Sequence, residues 1–533
     1  MPYCKSSRSN LGLLGLEPRL TRVTTLNKRK TDMFPLHKNI IAGTVGLLIA
    51  LSTGSVLASK DRFVVDLVNE PSSLDPHVQW NPDSYAVYRN VFDNLITRNN
   101  NGEIVPQIAT SWKQVSDSVV EFQIRTDVLF HDGQKLTPED VAFSVRRITD
   151  PKFGSPQLGQ FDKITKAEVT AANTVRLTTN GPYPALLAQL VKLSIVPKAV
   201  VEAVGKDAFN LKPIGSGPYM FQTWQRGVQV TLVRNDKYWG TKGPFPTAVF
   251  RAVPDAATRV ANLQAGASDL AVTLNSDLVA PLKNAPKAKV LAEPTERVAY
   301  VRLNTTKPPF DNEKIRQAVA MAIDKAALVD GILGGFDKPV GQMLTQAHAG
   351  WTPDLPAIPF DLKKAQALVK EAGPAAKLEI EMATSPVFDQ RIVQAIQQML
   401  VDAGLNVKIN MSDMASYLKR AQGGPEVVPA LSFGRWSCAC LDADGVLFPL
   451  LHKGSPWSAY RNPKADVQLE AARQTLDSKK RIDAYRSVNL MVNQDVPLVP
   501  LYQSAAIYGA ARGLDWQPTP DESLFLNRMT YKD

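Results

Sequence analysis

The stretch Phe433-Gly434-Arg435-Trp436-Ser437-Cys438-Ala439-Cys440-Leu441-Asp442-Ala443-Asp444-Gly445 concentrates aromatic, basic, thiol and acidic side chains between two structured segments. A wall of apolar surface with a few placed charges is what a pocket for a small molecule requires, because burial supplies affinity and the charges fix orientation. Arg435 and Trp436 set a cation beside an aromatic ring. Ser437 adds a hydroxyl, and Asp442 and Asp444 add carboxylates. The plainer reading of the same residues is a core strand followed by a turn. Cys438 and Cys440 fall on one side of an extended chain, but a single intervening residue is not a usual zinc spacing, and a bond across it would be strained. Buried free thiols are therefore expected first, a disulfide second, and a metal or haem contact after both.

Catalytic chemistry finds little support. Beyond the first 58 residues the histidines are His77, His131, His348 and His452, and none forms HExxH or a close pair suited to zinc. Gly215-Ser216-Gly217 has the wrong spacing for a nucleophile elbow. Met220 stands where a dinucleotide fingerprint would need its third glycine, and no phosphate-binding loop is present. His131-Asp132 lacks an accompanying nucleophile, so a structural turn is the better reading.

The elements that would position such a cluster are legible along the chain. Val119 to Ile124 alternates apolar Val120, Phe122 and Ile124 with polar partners, the period of a half-buried strand. His131-Asp132-Gly133-Gln134 makes a turn, and Thr137 then caps a helix with Pro138 at its first position and Glu139 and Asp140 on its first turn. Val141, Phe143, Val145 and Ile148 give that helix its buried side. Phe63 to Val68 reads as a strand, Glu168 to Thr179 as a hairpin turning near Asn173, and Leu186 to Val191 as a short helix. After Gly215-Ser216-Gly217-Pro218, new strands begin at Tyr219 and Val228. A helix follows Asp255 and ends at Gly266, and Asp269 to Val272 returns to strand. A second α/β unit starts at Phe310, with Asp311 as the expected cap of a helix lined by Ile315, Val319, Ala322 and Ile323. Ile392, Ile396, Met399 and Leu400 mark another helix, stopped by Gly404 before the strand Val407 to Ile409. Alternation of this kind predicts α/β layers with a crevice between lobes. No repeat or low-complexity linker interrupts the chain, so crossing strands rather than a flexible tether should join the lobes.

The succession of Trp112, alternating strand, Arg125, the Phe130-His131-Asp132-Gly133 turn and Leu136-Thr137-Pro138-Glu139-Asp140 resembles the signature of the family-five extracellular solute-binding proteins of ABC transporters, the peptide and nickel binding class. Ser73-Leu74-Asp75-Pro76, Gly215-Ser216-Gly217-Pro218-Tyr219, Arg234-Asn235 with Tyr238-Trp239, and Lys307-Pro308-Pro309-Phe310-Asp311 are similar to further landmarks in the same order. The resemblance covers the chain from about residue 60 to its end. It implies a periplasmic binding protein-like two-lobe fold with an additional inserted domain, in three discontinuous parts. Residues 59–96, 197–305 and 500–533 would form lobe I, 97–196 the inserted domain, and 306–499 lobe II. It also implies a peptide-like or other small organic solute held between lobes that close on it, and delivery to an ABC permease, with no catalysis and no cofactor. Ligand contacts by resemblance are Glu70 and Ser72 in the first turn, Tyr300 and Arg302 at the lobe crossing, Tyr502 at the return crossing, and Arg435, Trp436 and Ser437. Tyr300 and Tyr502 read equally well as core aromatics. In peptide-binding relatives Trp-x-x-Asp places a carboxylate on the peptide's ammonium. Here that third position is Ala439. Either Asp442 or Asp444 substitutes, or the solute lacks a free amine, as an opine, sugar conjugate or oligosaccharide would. Nickel or haem capture and a secreted hydrolase are the remaining alternatives.

The bulk properties are compatible. At 533 residues and 44% hydrophobic the chain can build several cores, and a monomer is expected. Of the formal charge of +10, residues 1–58 carry +6, which leaves a mildly basic remainder and no stripe for neutralising nucleic-acid phosphates. Ile40 to Leu51 is too short for a membrane span and suits a secretory core, followed by Val56-Leu57-Ala58 as a cleavage site. Residues 1–58 are expected to be removed, with 1–32 a mis-assigned upstream extension. Export without a lipobox cysteine points to the periplasm.

Overall fold

Two long apolar strands, Ala288–Leu303 and Leu498–Ala511, carry the chain from one half of the molecule to the other and pair antiparallel along nearly their whole length. The computed structural model describes residues 60–79 and 81–532. The expected leader, 1–58, lies outside them.

The crossing strands form the centre of an eleven-stranded sheet. On one side come Leu431–Trp436, Glu379–Thr384 and Asn406–Met411; on the other come Leu270–Ala271, Arg62–Leu67, Thr247–Ala252, Gln229–Arg234 and Tyr219–Gln225. Lys338–Pro339 pairs with the return strand. Each flank carries parallel pairs beside antiparallel ones, the pattern of a mixed α/β sheet with helices over its faces. A smaller four-stranded antiparallel sheet holds Ala109–Ser116, Val119–Ile124, Thr174–Thr179 and Ile164–Ala171.

The buried side chains divide in the same way. One cluster gathers Phe63, Tyr88, Phe209, Tyr219 and Phe250. A second gathers Phe310, Ile315, Val319, Ile392, Ile396 and Phe433. A third, under the smaller sheet, gathers Phe122, Val141, Val145, Phe161 and Leu177. The helix Pro138–Thr149 packs on that last cluster, and Asp140 Oδ2 accepts from both the backbone N–H (2.8 Å) and the hydroxyl (2.7 Å) of Thr137, closing its first turn. The helix Glu313–Ala322 corrects the expected start by one residue. Asn312 is the cap, its side chain accepting from Lys314 N at 2.9 Å, while Asp311 lies outside the helix. Either Asx side chain can cap, and the backbone fixes which one faces the free N–H groups.

Where the crossing strands leave one lobe, their pairing is interrupted. Thr295, Glu296 and Arg297 bulge between the pairs Pro294↔Ala505 and Val298↔Gln503, opposite Ser504 alone. Thr295 Oγ1 donates to Ser504 O at 2.7 Å, and Gln503 Nε2 donates to Thr295 O at 2.7 Å, so side chains supply the hydrogen bonds that the ladder loses.

Candidate functional site

The bulge and the strand beside it aim charged side chains into the gap between the two large cores. Two adjoining cavities occupy that gap, of about 250 Å³ and about 660 Å³, and Thr273, Leu274, Arg435, Ser504, Ala505 and Ile507 line both. Arg435 stands on Leu431–Trp436 opposite Ala299 of the crossing strand. Its guanidinium lies 5.9 Å from the Phe388 ring centroid and, among the described residues, has no hydrogen-bond or ion-pair partner. Although the side chain is exposed to the cleft, partial desolvation there and the nearby Arg297 pull its pKa below the usual arginine range, yet a guanidinium stays charged at neutral pH. Tyr502, on the return strand, is buried and walls the larger cavity with Phe388 and Phe433. Burial and the neighbouring Asp337 push its phenol up, so it stays neutral and is a donor.

The other charged groups around the gap mostly hold one another. Arg297 pairs with Glu522 through two hydrogen bonds, of 3.1 and 2.9 Å. Arg391 pairs with Asp389 and, at 2.9 Å, with Asp277. Glu296, a buried residue of the bulge, accepts from Ser437 Oγ at 2.5 Å, and burial raises its carboxyl to about 7. Asp337 accepts from Ala505 N at 3.0 Å, and burial raises it to about 6.

Of the residues singled out from sequence, Arg435 and Tyr502 therefore line the cavities. Glu70 instead accepts from Trp224 Nε1 (3.2 Å) and Gly227 N (2.7 Å), and Ser72 Oγ accepts from Asn81 Nδ2 at 2.8 Å, which ties down the first turn. Tyr300 is buried in a cluster with Val298, Leu344 and Leu447. Arg302 is buried and donates to Ala421 O (3.1 Å) and Trp457 O (2.9 Å). Trp436 is half-buried, stacked edge-on against Trp457, and donates to Gly445 O at 2.9 Å. Ala439 is half-buried. Asp442 is 3% exposed and receives two hydrogen bonds from Arg481, of 2.8 and 2.6 Å. Asp444 is paired with Arg473 at 2.9 Å. Neither carboxylate lines the cavities.

Cys438 and Cys440 are joined as a disulfide, correcting the preference for free thiols. The reason lies one turn further on. Gly445, in the first turn of the helix Asp444–Leu451, has no side chain, and a Cβ there would lie 2.2 Å from Cys438 Sγ and 2.7 Å from Cys440 Sγ, so both sulfurs are pressed into one glycine-sized space. Among the described residues no group of three or more His, Cys, Asp or Glu is placed to hold a metal ion. His131 is half-buried in its turn, its Nε2 3.0 Å from Gly217 O, and desolvation lowers it to about 4. Sequence reasoning missed Asp337, Phe388 and Arg297. Asp337 follows Gly334-Gly335-Phe336 in a loop with no periodicity to flag it, and only the pairing of Lys338–Pro339 with the return strand brings it to the gap.

Two lobes, each with its own core, joined by paired crossing strands and separated by a cleft with unspent charge, define a solute-binding protein of the ABC-importer type. The chain belongs to the bacterial extracellular solute-binding proteins, family 5, whose profile matches residues 103–458. Proteins of this family bind solutes for ABC importers and deliver them to the permease. The chain is 28% identical to haem-binding protein A of Haemophilus influenzae, over 84% of this chain and 88% of that protein. It is 27% identical to the glutathione-binding protein GsiB of Salmonella paratyphi A, over 90% and 96%. The structure of the periplasmic binding protein DppA from Helicobacter pylori in complex with the peptide STSA matches with a TM-score of 0.76 at 26% identity, covering 89% of this chain and 98% of that one.

Proposed function

We propose that this chain carries a small, carboxylate-bearing, peptide-sized organic solute, held between the lobes with its carboxylate on Arg435. The observation that supports this reading is a guanidinium with no protein anion among the described residues, exposed to the cleft on the wall of both cavities. A planar fork of donors left free of protein partners suits a carboxylate. Ala439 offers nothing to an ammonium at the position where the sequence resemblance places one, and Asp442 and Asp444 are spent on Arg481 and Arg473. The relatives named for glutathione and the structure holding a peptide concern ligands that carry carboxylates. An organic solute also fits the lining better than bare nickel, given its arginine and aromatic groups.

The same reading takes the mature chain as a periplasmic monomer without turnover, cleaved near Ala58. Its lobe I is 59–96, 197–305 and 500–533, its inserted domain 97–196, and its lobe II 306–499, divisions supported by the separate buried clusters around Phe63, Phe122 and Phe310. Mass spectrometry of the solute that co-purifies from the host periplasm, followed by calorimetry with Arg435→Gln, tests the reading. The variant should lose about ten- to a hundredfold in affinity, as expected for a charge-assisted contact. Unchanged affinity in Arg435→Gln would overturn it.

A further inference from the structure

We propose that Asp337 is the cation-binding group of the cleft, forming with Arg435 a dipolar clamp that takes a solute's ammonium and carboxylate together. The solute class is then the zwitterionic amino-acid or short-peptide type, with its amine at Asp337 rather than beside Ala439. The inference rests on the assignment of a carboxylate to Arg435 and adds the opposite pole.

Three carboxylates line the 660 Å³ cavity: Asp277, Asp337 and Asp389. Asp277 and Asp389 are both paired with Arg391. Asp337 is the one left over. Its Oδ1 accepts from Ala505 N, while its Oδ2 has no partner among the described residues. Asp337 and Arg435 feel each other's charge, but no ion pair joins them. Two opposite charges that line one cavity without pairing to each other match a ligand that carries both signs. Tyr502 and Phe388 supply the apolar wall along the same cavity.

The backbone fixes the carboxylate in place. Gly334 (φ 67°) and Gly335 (φ 74°) turn the chain in the left-handed region, where a Cβ would be strained. Phe336 packs against a cluster containing Leu274 and Ile507, and Lys338–Pro339 pairs with Tyr502 and Gln503 of the return strand. Asp337 is thus held from both sides, as a binding group must be if it is to discriminate. The half-buried carboxyl, raised by burial to about 6, is mostly ionised at pH 7, and an ammonium beside it would favour the charged form further.

Calorimetry on the mature protein with three matched pairs decides the matter: glutathione, the dipeptide Met-Leu and the tetrapeptide Ser-Thr-Ser-Ala, each against its N-acetylated form. The wild type should bind the free-amine member of at least one pair about tenfold or more tightly over its acetylated partner. Asp337→Asn should bring the two within about twofold, because Asn keeps an acceptor for Ala505 N and loses the charge. Should that variant fold poorly, the wild type supplies the same information. Its preference for the free amine should fade as pH falls from 7 to 5 and Asp337 is protonated, while binding of the acetylated form stays level. Equal binding of both members of every pair, a preference that survives Asp337→Asn, or no binding of any probe would overturn the proposal. Arg435→Gln separates the two assignments: if it leaves affinity unchanged while Asp337→Asn abolishes the amine preference, the carboxylate reading fails and the amine site stands.

Discussion

Asp442 shows how one side chain's role follows from its partner. Its two bonds from Arg481 (2.8 and 2.6 Å) and its 3% exposure make it half of a buried ion pair, with Asp444 N donating a further bond to Oδ1 at 2.9 Å. Removing one member of such a pair leaves the other charge desolvated and uncompensated, whereas the intact pair adds little net stability. Asp442→Asn is therefore expected to act on the fold, at a cost on the order of 3 kcal/mol, and to leave discrimination between free and acetylated amines as it is in the wild type. Chemical denaturation alongside calorimetry checks this. Loss of that discrimination with unchanged stability would return Asp442 to the binding site. From sequence, Asp442 was a reasonable substitute for the missing aspartate at 439, since it lies three residues away in a cluster of the right chemistry. Its true partner stands 39 residues further along, on the helix Ser478–Asp495, and nothing in local spacing announces such a pairing.

At the scale of elements, what was legible was what is local. The alternating strand Val119–Ile124, the Gly133 turn and the Thr137-Pro138 helix start sit where the residue types place them, because strand period, positive φ and capping are settled within a few residues. The helix Ala256–Ala265, begun by Asp255 and closed by Gly266 in the left-handed conformation, is another such case. The bulge at Thr295 to Arg297 was not legible, because it exists only against Ser504, some 200 residues distant, and neither was the placement of Asp337. The disulfide loop falls between these cases: the thiols were visible, and the space that joins them depends on Gly445. A bridge that closes so small a loop removes little entropy from the unfolded chain. The paired substitution Cys438→Ser with Cys440→Ser should cost no more than about 1.5 kcal/mol by that reasoning. Denaturant titration of oxidised, reduced and doubly substituted protein measures the cost. A loss several times larger would mean that the bridge supports native packing around Trp436 and Gly445 beyond its effect on the unfolded chain.

Across the whole molecule, contacts outside the crossing strands also tie distant parts of the chain together. On one flank Arg98, in the proposed inserted domain, donates to Cys440 O at 2.5 Å. On the other, Asp277 meets Arg391 at the first turn of the helix Gln390–Asp402, beside the close approach of Gly334 to Ser276, where an added Cβ would come within 3.0 Å. In the proposed division Asp277 and Arg391 belong to opposite lobes, and both line the larger cavity, so an opening of the cleft would part them. A contact made in one conformation and absent in the other biases the equilibrium by its own free energy, and a solute that prefers the closed form is bound more weakly when that bias is removed. The pair is half-exposed on both sides (50% and 60%), so solvent screening limits it to about 0.2–1 kcal/mol, or up to about fivefold in affinity. Asp277→Asn should accordingly weaken binding of the co-purified solute by at most about fivefold at low ionic strength, through faster release, and leave thermal stability unchanged. The difference should vanish near 1 M salt, where the screening length is about 3 Å. Small-angle scattering of the solute-free variant should show a larger radius of gyration than the wild type, with both converging on one value at saturation. Identical solute-free profiles together with identical low-salt affinities would show that Arg391, already held by Asp389, gains nothing from Asp277 and that closure is set by the solute alone.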